Sequence, residues 1–406
     1  MRILTARFRS HAALAVLLAA ALLLAACGGG GGTPAGSGEG GSGGGGGGGS
    51  GGTIKVGLLM PLTGQISQFG KQTSNGAKLA FEQKGHQVGN YKIELVEEDD
   101  KNDETEAVQR VQKLITQDQV VAVIGSVSSR ISIPISEVLE QAGVVHLTPT
   151  STADDLTPGK KWVFRACFYD SFQGRVMAKF AREHLKAQTA AILYDVTNPY
   201  SEGLYKSFEA AFKELGGQVV TVESYQKGDQ DFHAQLTKIA QAKSDVLFLP
   251  DYYNPVGLIA QQARQVGVQA TLLGADGWDD SQLYELGGEA IVGNYFSNHY
   301  SIEQDNPESK AFVEAYRQKY GEDPSALAAL GYDAANLLMD AIQRVIDSGG
   351  DPTDPQKIRD ALEQTEGFKG VTGTITFDEN HNPVKSAVVL ETTKDGHKYV
   401  TTVEPE

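Results

Sequence analysis

Short, unbroken apolar runs alternate with apolar positions at helical spacing along the chain from residue 53 onward. Residues 54–60, 120–124 and 144–147 are nearly all apolar, which predicts strands buried on both faces. Residues 105–116 and 131–141 carry apolar side chains three and four positions apart, which predicts amphipathic helices. Strands that alternate with helices in this way are typical of parallel sheets covered by helices.

The second half of the chain repeats the alternation. Strands are predicted at 190–194, 218–223, 245–249, 271–274 and 291–296, with amphipathic helices between most of them. A long helix is predicted to begin at an Asp-Pro pair near residue 323, and strands dominate the tail after residue 373. About ten strands are more than one compact sheet usually holds. The pattern therefore predicts an α/β fold of two doubly wound parallel-sheet lobes, with ligands bound where the strands end.

Composition narrows the class of partner. The 406 residues include 35 basic and 51 acidic side chains, a net charge of −16. Nucleic acids and anionic lipid surfaces attract basic faces, so this charge predicts no nucleic-acid partner and no membrane binding by charge.

The N-terminal segment has the composition of an export signal. Three arginines within the first nine residues precede the apolar run 12–24, which is too short to span a bilayer. The next residues, Leu-Ala-Ala-Cys ending at Cys27, resemble the bacterial lipobox. That resemblance implies a signal peptide over residues 1–26, cleavage before Cys27, and a diacylglycerol on its thiol. The alternative is an ordinary secretory signal followed by an incidental cysteine.

The segment after this cysteine is predicted to be a tether. Residues 28–52 contain 18 of the 47 glycines, and a coil of this composition spans about 25–30 Å. Residues 27–52 would thus hold a folded domain near a bacterial membrane by lipid alone, in the periplasm or on the cell surface.

Two hydroxyl-rich turns are the first candidate binding chemistry. Gly-Ser-Val-Ser-Ser at 125–129 follows a predicted strand and leads into a helix, and residues 148–157 follow the next strand. Free N–H groups at a helix start, together with hydroxyls, favour an anion. The alternative is that these hydroxyls only cap helices. No histidine pair has metal-ligand spacing, and Cys167 would be the one thiol of the processed chain, so no metal, cofactor or disulfide is predicted.

Taken together, these turns and a series of later motifs resemble a known family. The later motifs are Phe-Arg-Ala-Cys-Phe-Tyr-Asp at 164–170, Tyr-Ser-Glu-Gly at 200–203, Gly-Ala-Asp-Gly-Trp at 274–278 and Gly-Tyr-Asp-Ala-Ala at 331–335. In this order they resemble the type I periplasmic binding proteins of the leucine/isoleucine/valine and amide class. The resemblance covers essentially residues 53–406. It implies three crossings between the lobes, with 53–170 plus 299–380 in the first lobe and 171–298 plus 381–406 in the second.

The resemblance also implies how a free amino acid would be held. Ser129 and Thr152 would each offer a hydroxyl and a backbone N–H to the ligand's α-carboxylate. Ser151 would offer its backbone carbonyl to the α-ammonium group, and Asp276 would pair with that group. Leucine-binding members carry glutamate where this chain has Asp276, so the ammonium would sit closer to the backbone or be bridged by water.

Three aromatic residues complete the implied site. Tyr200 and Tyr253 match tyrosines that the second lobe brings onto the ligand, and Phe69 matches an aromatic that lines the side-chain pocket. Each is alternatively a partly exposed loop aromatic.

Two positions depart from the family pattern. Asp251 stands where glycine is expected and adds a carboxylate near the cleft mouth. Ala328-Ala329 fall near a position that is bulky in leucine-binding members, which predicts room for a larger or more polar ligand side chain.

The function implied is that of the lipid-tethered substrate-binding component of an ABC importer. The expected ligand is an aliphatic, branched-chain or related amino acid, the expected partner is an ABC permease, and the protein is expected to be a monomer and not an enzyme. The alternatives are a sensor module that feeds a separate membrane receptor, or a binder of an amide or a carboxylate.

Overall fold

The computed structural model describes residues 51–304 and 306–405. The predictions of a signal peptide, of a lipid on Cys27 and of nearly all of the tether fall outside these residues.

Helices and strands alternate through the described ranges. The helices are α1 Ser67–Gln83, α2 Glu104–Lys113, α3 Ser129–Ala142, α4 Asp170–Glu183, α5 Pro199–Glu214, α6 His233–Ala242, α7 Tyr253–Gln265, α8 Gln282–Gly287, α9 Pro307–Tyr320, α10 Ala326–Asp347 and α11 Pro355–Glu363. The strands are β1 Thr53–Met60, β2 Gln87–Val88, β3 Tyr91–Asp99, β4 Ala122–Gly125, β5 Val145–Thr148, β6 Val163–Arg165, β7 Thr189–Asp195, β8 Gln218–Tyr225, β9 Val246–Phe248, β10 Thr271–Gly274, β11 Tyr295–Asn298, β12 Phe368–Gly370, β13 Gly373–Ile375, β14 Ala387–Thr393 and β15 Gly396–Val403. None of these helices combines the length and the apolarity that crossing a bilayer requires.

The first sheet has the strand order β2-β3-β1-β4-β5-β6, and all its pairs except β2–β3 are parallel. Its central strand β1 is almost fully buried, as expected for a strand covered by helices on both faces. The order reverses on either side of β1, so the loops that follow β1 and β4 diverge and leave a crevice.

The second sheet has the order β15-β14-β11-β10-β9-β7-β8. Its five strands from β11 to β8 are parallel, and β14 and β15 extend it in the antiparallel sense. The order reverses at β7, which again leaves a crevice beyond the strand ends.

The chain moves between the sheets three times. It leaves the first sheet after β6, returns after β11 to form α9, α10 and α11, and leaves again after β13. Helix α10 packs on α1, and α11 packs beside β5, so these helices belong with the first sheet. We call each sheet with its helices a lobe. The predicted fold class, two α/β lobes dominated by parallel strands, is confirmed, while the proposed boundary residues stay a prediction.

Several predicted element ends are wrong. The apolar part of residues 92–96 predicts a strand that gives way to an acidic turn at residues 97–100, but β3 continues to Asp99 because its backbone stays paired with β1. The long helix α10 begins at Ala326, because Ser325 caps it by accepting the N–H of Ala328 at 3.2 Å. The strand expected at 291–296 is β11, which begins only at Tyr295, after a short 3₁₀ turn and Gly293 at φ +76°.

Candidate functional site

A small cavity lies where the loops of the two lobes meet at the carboxyl ends of their central strands. Ten residues line it: Phe69, Val127, Ser129, Thr150, Thr152, Tyr200, Tyr252, Asp276, Gly277 and Leu327. These residues follow β1, β4, β5, β7, β9 and β10 or lie in the first turn of α10. Five of the seven binding residues expected from the sequence are therefore brought together here: Phe69, Ser129, Thr152, Tyr200 and Asp276.

Buried hydroxyl groups fix the two turns of the first lobe against each other. Thr150 Oγ1 donates to the carbonyl of Val127 at 2.8 Å, and Ser126 Oγ donates to the buried carboxylate of Asp100 at 2.6 Å. Ser128 Oγ donates to Asn102 Oδ1 at 2.7 Å. These three hydroxyls thus donate within the protein and hold the loops in place, although Thr150 itself lines the cavity.

The polar groups left facing the cavity from this lobe are those of Ser129 and Thr152. Ser129 is the first residue of α3, so its N–H lies beyond the reach of any intrahelical acceptor. Its Oγ accepts the N–H of Ala153 at 3.1 Å and keeps its own proton to donate. The buried Oγ1 of Thr152 has no hydrogen-bond partner within 3.5 Å among the described residues, although it lies near enough to the Asp170 carboxyl group to lower that group's pKa slightly against the effect of burial. These donors form a pair suited to a carboxylate.

Ser151 does not line the cavity. Its hydroxyl donates to Ser132 Oγ at 2.7 Å, and its carbonyl oxygen lies 3.3 Å from both Arg165 Nη1 and Cys167 Sγ. The carbonyl that the family resemblance assigns to the ammonium group is therefore turned toward the buried first crossing. The cavity is lined instead by the residues on either side, Thr150 and Thr152.

Asp276 contributes the carboxylate of the second lobe. Its Oδ1 accepts from Tyr200 Oη at 2.7 Å and from Gln173 Nε2 at 3.0 Å. Its Oδ2 lies 3.1 Å from His299 Nε2, and its own N–H donates to Gln173 Oε1 at 3.0 Å. Burial lowers the pKa of His299, so its imidazole is neutral near pH 7. All three side chains that hold the carboxylate are therefore uncharged, and its negative charge remains available to a cation in the cavity.

A second carboxyl group, that of Asp170, lies behind Thr152. The N–H of Asp170 donates to the carbonyl of Thr152 at 2.9 Å, and its side chain is fully buried. Burial raises its pKa well above the ordinary value, which favours the uncharged acid. Asp276 is thus the acidic residue that lines the cavity.

Tyr252, and not Tyr253, lines the cavity beside Tyr200. The rings of Tyr252 and Tyr200 stack in parallel at 5.0 Å. Tyr253 packs edge-on against Phe69 at 4.8 Å, and its Oη donates to the carbonyl of Gln65 at 3.1 Å. Tyr253 thus joins the two lobes next to the cavity and does not line it.

The expectation that Ala328-Ala329 would leave room for a larger ligand is wrong. Leu327, one residue earlier, lines the cavity, whereas both alanines are fully buried. They lie in the core cluster that holds α10 against α1. The apolar wall of the cavity therefore consists of Phe69, Val127 and Leu327, and Tyr252 lines both this cavity and a larger neighbouring one.

Asp251 lies beside this wall, in a larger polar cavity that Tyr252 also lines. Its Oδ1 accepts the N–H of Tyr252 at 2.8 Å, and its Oδ2 accepts a hydrogen bond from Tyr225 Oη. Burial raises the pKa of Asp251 to about 7. Its carboxyl thus holds the N-terminal end of α7 in place and does not reach the ligand cavity.

Sequence reasoning missed Gln173 and His299, the two residues that hold Asp276 without lining the cavity. Gln173 lies in the sequence Phe-Gln-Gly at residues 172–174, and nothing in that sequence indicates that its amide faces Asp276. His299 directly follows β11, 23 positions after its partner, and the parallel pairing of β10 with β11 brings the ends of the two strands, and with them the two side chains, together.

Two lobes that close on a cavity with hydroxyl donors on one side and a carboxylate on the other define a two-lobed binding protein for a small polar molecule. The periplasmic binding protein family matches residues 53–397. The chain belongs to this family, whose members are extracytoplasmic substrate-binding proteins of transporters and not enzymes, as the sequence predicted.

Characterised relatives are similar over most of the chain. A leucine-, isoleucine-, valine-, threonine- and alanine-binding protein of Pseudomonas aeruginosa is 33% identical over 80% of this chain and 86% of its own length. A crystal structure of a leucine-binding protein from Thermotoga maritima is 40% identical, with a TM-score of 0.83 over 87% of this chain and 99% of that one. A branched-chain amino acid transporter substrate-binding protein of Streptococcus pneumoniae, in complex with isoleucine, is 33% identical with a TM-score of 0.81 over 87% of this chain and 100% of that one.

Proposed function

We propose that this chain is the substrate-binding component of an ABC importer that captures a branched-chain or related aliphatic amino acid between its lobes. The observation that carries the proposal is the presence of Asp276 on one lobe and of Ser129 and Thr152 on the other, around one cavity. An α-amino acid needs an anion and a set of donors around one small cavity, because its ammonium and carboxylate groups are attached to the same carbon atom.

The apolar wall supports an aliphatic side chain. Phe69, Val127 and Leu327 offer no charged or hydrogen-bonding group to the ligand. A polar side chain placed there would lose its hydrogen bonds to water without replacement, which costs about 1–3 kcal/mol. The ligands named for the relatives above, leucine and isoleucine among them, have side chains of this kind.

The decisive test is a double cycle of protein and ligand. Asp276→Asn keeps the shape of the side chain but removes its charge, which leaves the buried ammonium group unpaired at a cost of about 3–5 kcal/mol. We expect L-leucine to bind about two to four decades more weakly, at ~1.4 kcal/mol per decade. 4-Methylpentanoate, which is leucine without its amino group, should bind the wild type more weakly than leucine does, by a similar factor. Its affinity for the variant should be little lower than its affinity for the wild type. Titration calorimetry measures all four combinations.

Asp231→Asn, at an exposed position, is the matched control, because it removes a negative charge from the same lobe. It should leave both affinities unchanged, because the hydrogen bonds of its carboxylate within the described ranges go to the neighbouring His233, at the surface. If 4-methylpentanoate binds the wild type as tightly as leucine does, the ligand is not recognised as a zwitterion. The proposal would then give way to an amide or a carboxylate ligand.

We further propose that the mature protein is anchored to a bacterial membrane by a lipid on Cys27. The support is the sequence alone: the basic start, the apolar run and the Leu-Ala-Ala-Cys motif. Cys27→Ser should give unprocessed or soluble protein with unchanged ligand affinity, measured by detergent partitioning and labelling with a fatty acid. Cys167→Ser is the matched control, and labelling that persists in Cys27→Ser would rule the anchor out.

A further inference from the structure

His299 holds the acidic group of the cavity from behind. It follows β11 at the start of the second crossing, and its Nε2 lies 3.1 Å from Asp276 Oδ2. It does not line the cavity, and it is almost completely buried. Since Tyr200 and Gln173 occupy Oδ1, the imidazole is the group that fixes the other oxygen of the carboxylate.

The position of the proton on this imidazole follows from its partners. A carboxylate oxygen only accepts hydrogen bonds, so Nε2 must carry the proton. The other ring nitrogen, Nδ1, has no hydrogen-bond partner among the described residues. A second proton there would create a buried N–H without an acceptor, next to the ring of Phe168, which stacks on the imidazole at 3.7 Å.

Of the charged groups around the imidazole, two raise the pKa of His299 and one lowers it. Asp276 and Asp279 favour the imidazolium form, whereas Lys385 opposes it from the third crossing. Burial acts in the same direction as Lys385, outweighs the two carboxylates and lowers the pKa of His299 below its ordinary value. The neutral form therefore predominates at pH 7, and acid converts the ring to a cation in contact with Asp276.

We propose that His299 is the positioning residue of the ammonium site: as a neutral imidazole it aims Asp276 at the ligand, and as an imidazolium it competes with the ligand's ammonium for the same carboxylate. This rests on the proposed function, because it requires a ligand with an ammonium group. Two cations then share one buried anion, so protonation of His299 and binding of the ligand oppose each other.

This competition predicts a pH dependence that a purely structural histidine would not produce. Bound ligand favours the neutral ring. The affinity for the ligand should therefore decrease as the pH is lowered through the range in which His299 of the ligand-free protein gains its proton. For one proton, the dissociation constant can rise by up to about tenfold per pH unit. Under the same conditions, binding releases a proton to the buffer.

The test compares His299→Gln with the wild type between pH 5 and pH 8. Glutamine keeps an N–H donor for Asp276 but does not titrate, so its affinity for L-leucine should vary less with pH. Asp100, Asp251 and Asp280, whose pKa values burial raises to about 6, 7 and 6, remain in both proteins. The difference between the two profiles therefore isolates His299.

His184→Gln is the matched control. This histidine also stacks on a phenylalanine, Phe180, at 4.6 Å, but no acidic residue in the described part of the chain hydrogen-bonds its ring. The control should keep the wild-type profile. Superimposable profiles of His299→Gln and the wild type would overturn the proposal.

A measurement on the wild type alone guards against a variant that folds poorly. Calorimetry in two buffers of different ionisation enthalpy gives the number of protons released when L-leucine binds. We expect a release that grows as the pH is lowered from 8 toward 5, and no release anywhere in this range would overturn the proposal. If the wild type binds no leucine at any pH, it is the proposed function that fails, and the two failures are thus distinguishable.

Discussion

Single side chains divide the ligand cavity into three parts with different chemistry. Ser129 and Thr152 provide donors, Asp276 provides an anion, and Leu327 with Phe69 provides an apolar surface. Each part has a fixed support: a helix start for Ser129, three uncharged donors for Asp276, and the first turn of α10 for Leu327. Such supports keep the groups in place before a ligand arrives, which reduces the ordering cost of binding.

Leu327 is expected to set the size of the ligand side chain. Leu327→Ala removes about three carbon groups from the wall, and each buried group of this kind contributes about 0.8 kcal/mol. We expect L-leucine to bind at least about tenfold more weakly and L-phenylalanine to gain affinity relative to leucine, as measured by calorimetry. Leu327→Met, which conserves volume, should keep the preference for leucine. An unchanged ratio in the alanine variant would show that another residue limits the pocket.

Side-chain direction is the part of the site that the sequence could not supply. The motif that carries Thr150, Ser151 and Thr152 was found, but successive residues of an extended turn point in opposite directions. The same holds for Tyr252 and Tyr253, which flank a helix start. In each case the correct loop was predicted, and the cavity is lined by a neighbour of the expected residue.

Among the elements, the pair α1 and α10 fixes the first lobe most closely. Gly76 on α1 lies against the carbonyl oxygen of Ala328, and Gly331 on α10 lies against that of Thr73. Backbones approach this closely only where no Cβ intervenes. The contact places the first turn of α10, with Leu327, beside the ligand cavity.

Gly76→Ala is expected to destabilise the first lobe. The added methyl group would overlap the Ala328 carbonyl, and overpacking of this kind costs about 1–3 kcal/mol. Denaturant unfolding should show a lower midpoint, and leucine affinity should fall as α10 shifts. Lys71→Ala on the exposed face of α1 is the control and should change neither. A Gly76→Ala protein as stable as the wild type would mean that the two helices can separate freely.

Across the whole molecule, hydrogen bonds join the two lobes around the cavity. Tyr253 Oη donates to the Gln65 carbonyl at 3.1 Å, and Arg130 Nη2 donates to the Thr197 carbonyl at 2.8 Å. Asp279 accepts the N–H of Ala326 at 2.7 Å, where α10 begins. These bonds belong to a closed arrangement, because each joins a loop of one lobe to a group of the other.

Tyr253→Phe should weaken closure without touching the ligand. Loss of one such hydrogen bond costs about 0.5–1.5 kcal/mol, so leucine should bind roughly 3- to 10-fold more weakly, mainly through faster dissociation. Stopped-flow kinetics measures the dissociation rate.

Solution scattering should show the wild type becoming more compact with leucine and the variant needing more ligand to do so. Tyr194→Phe, which removes the hydroxyl of a half-buried tyrosine of β7 that stacks on Tyr205 within the second lobe, is the control. A wild type that does not contract with saturating leucine would contradict the closing motion.

The sequence by itself determined the alternation of strands and helices, the two lobes, the family and the loops that carry the site. These follow from local periodicity and from short motifs, both of which are properties of neighbouring residues. Only the tertiary structure decided that Leu327 closes the pocket, that Tyr252 takes the place expected for Tyr253, and that His299 and Gln173 hold Asp276. These outcomes depend on contacts between residues far apart in the chain, and on which way each side chain turns once the lobes meet, and no local pattern encodes either.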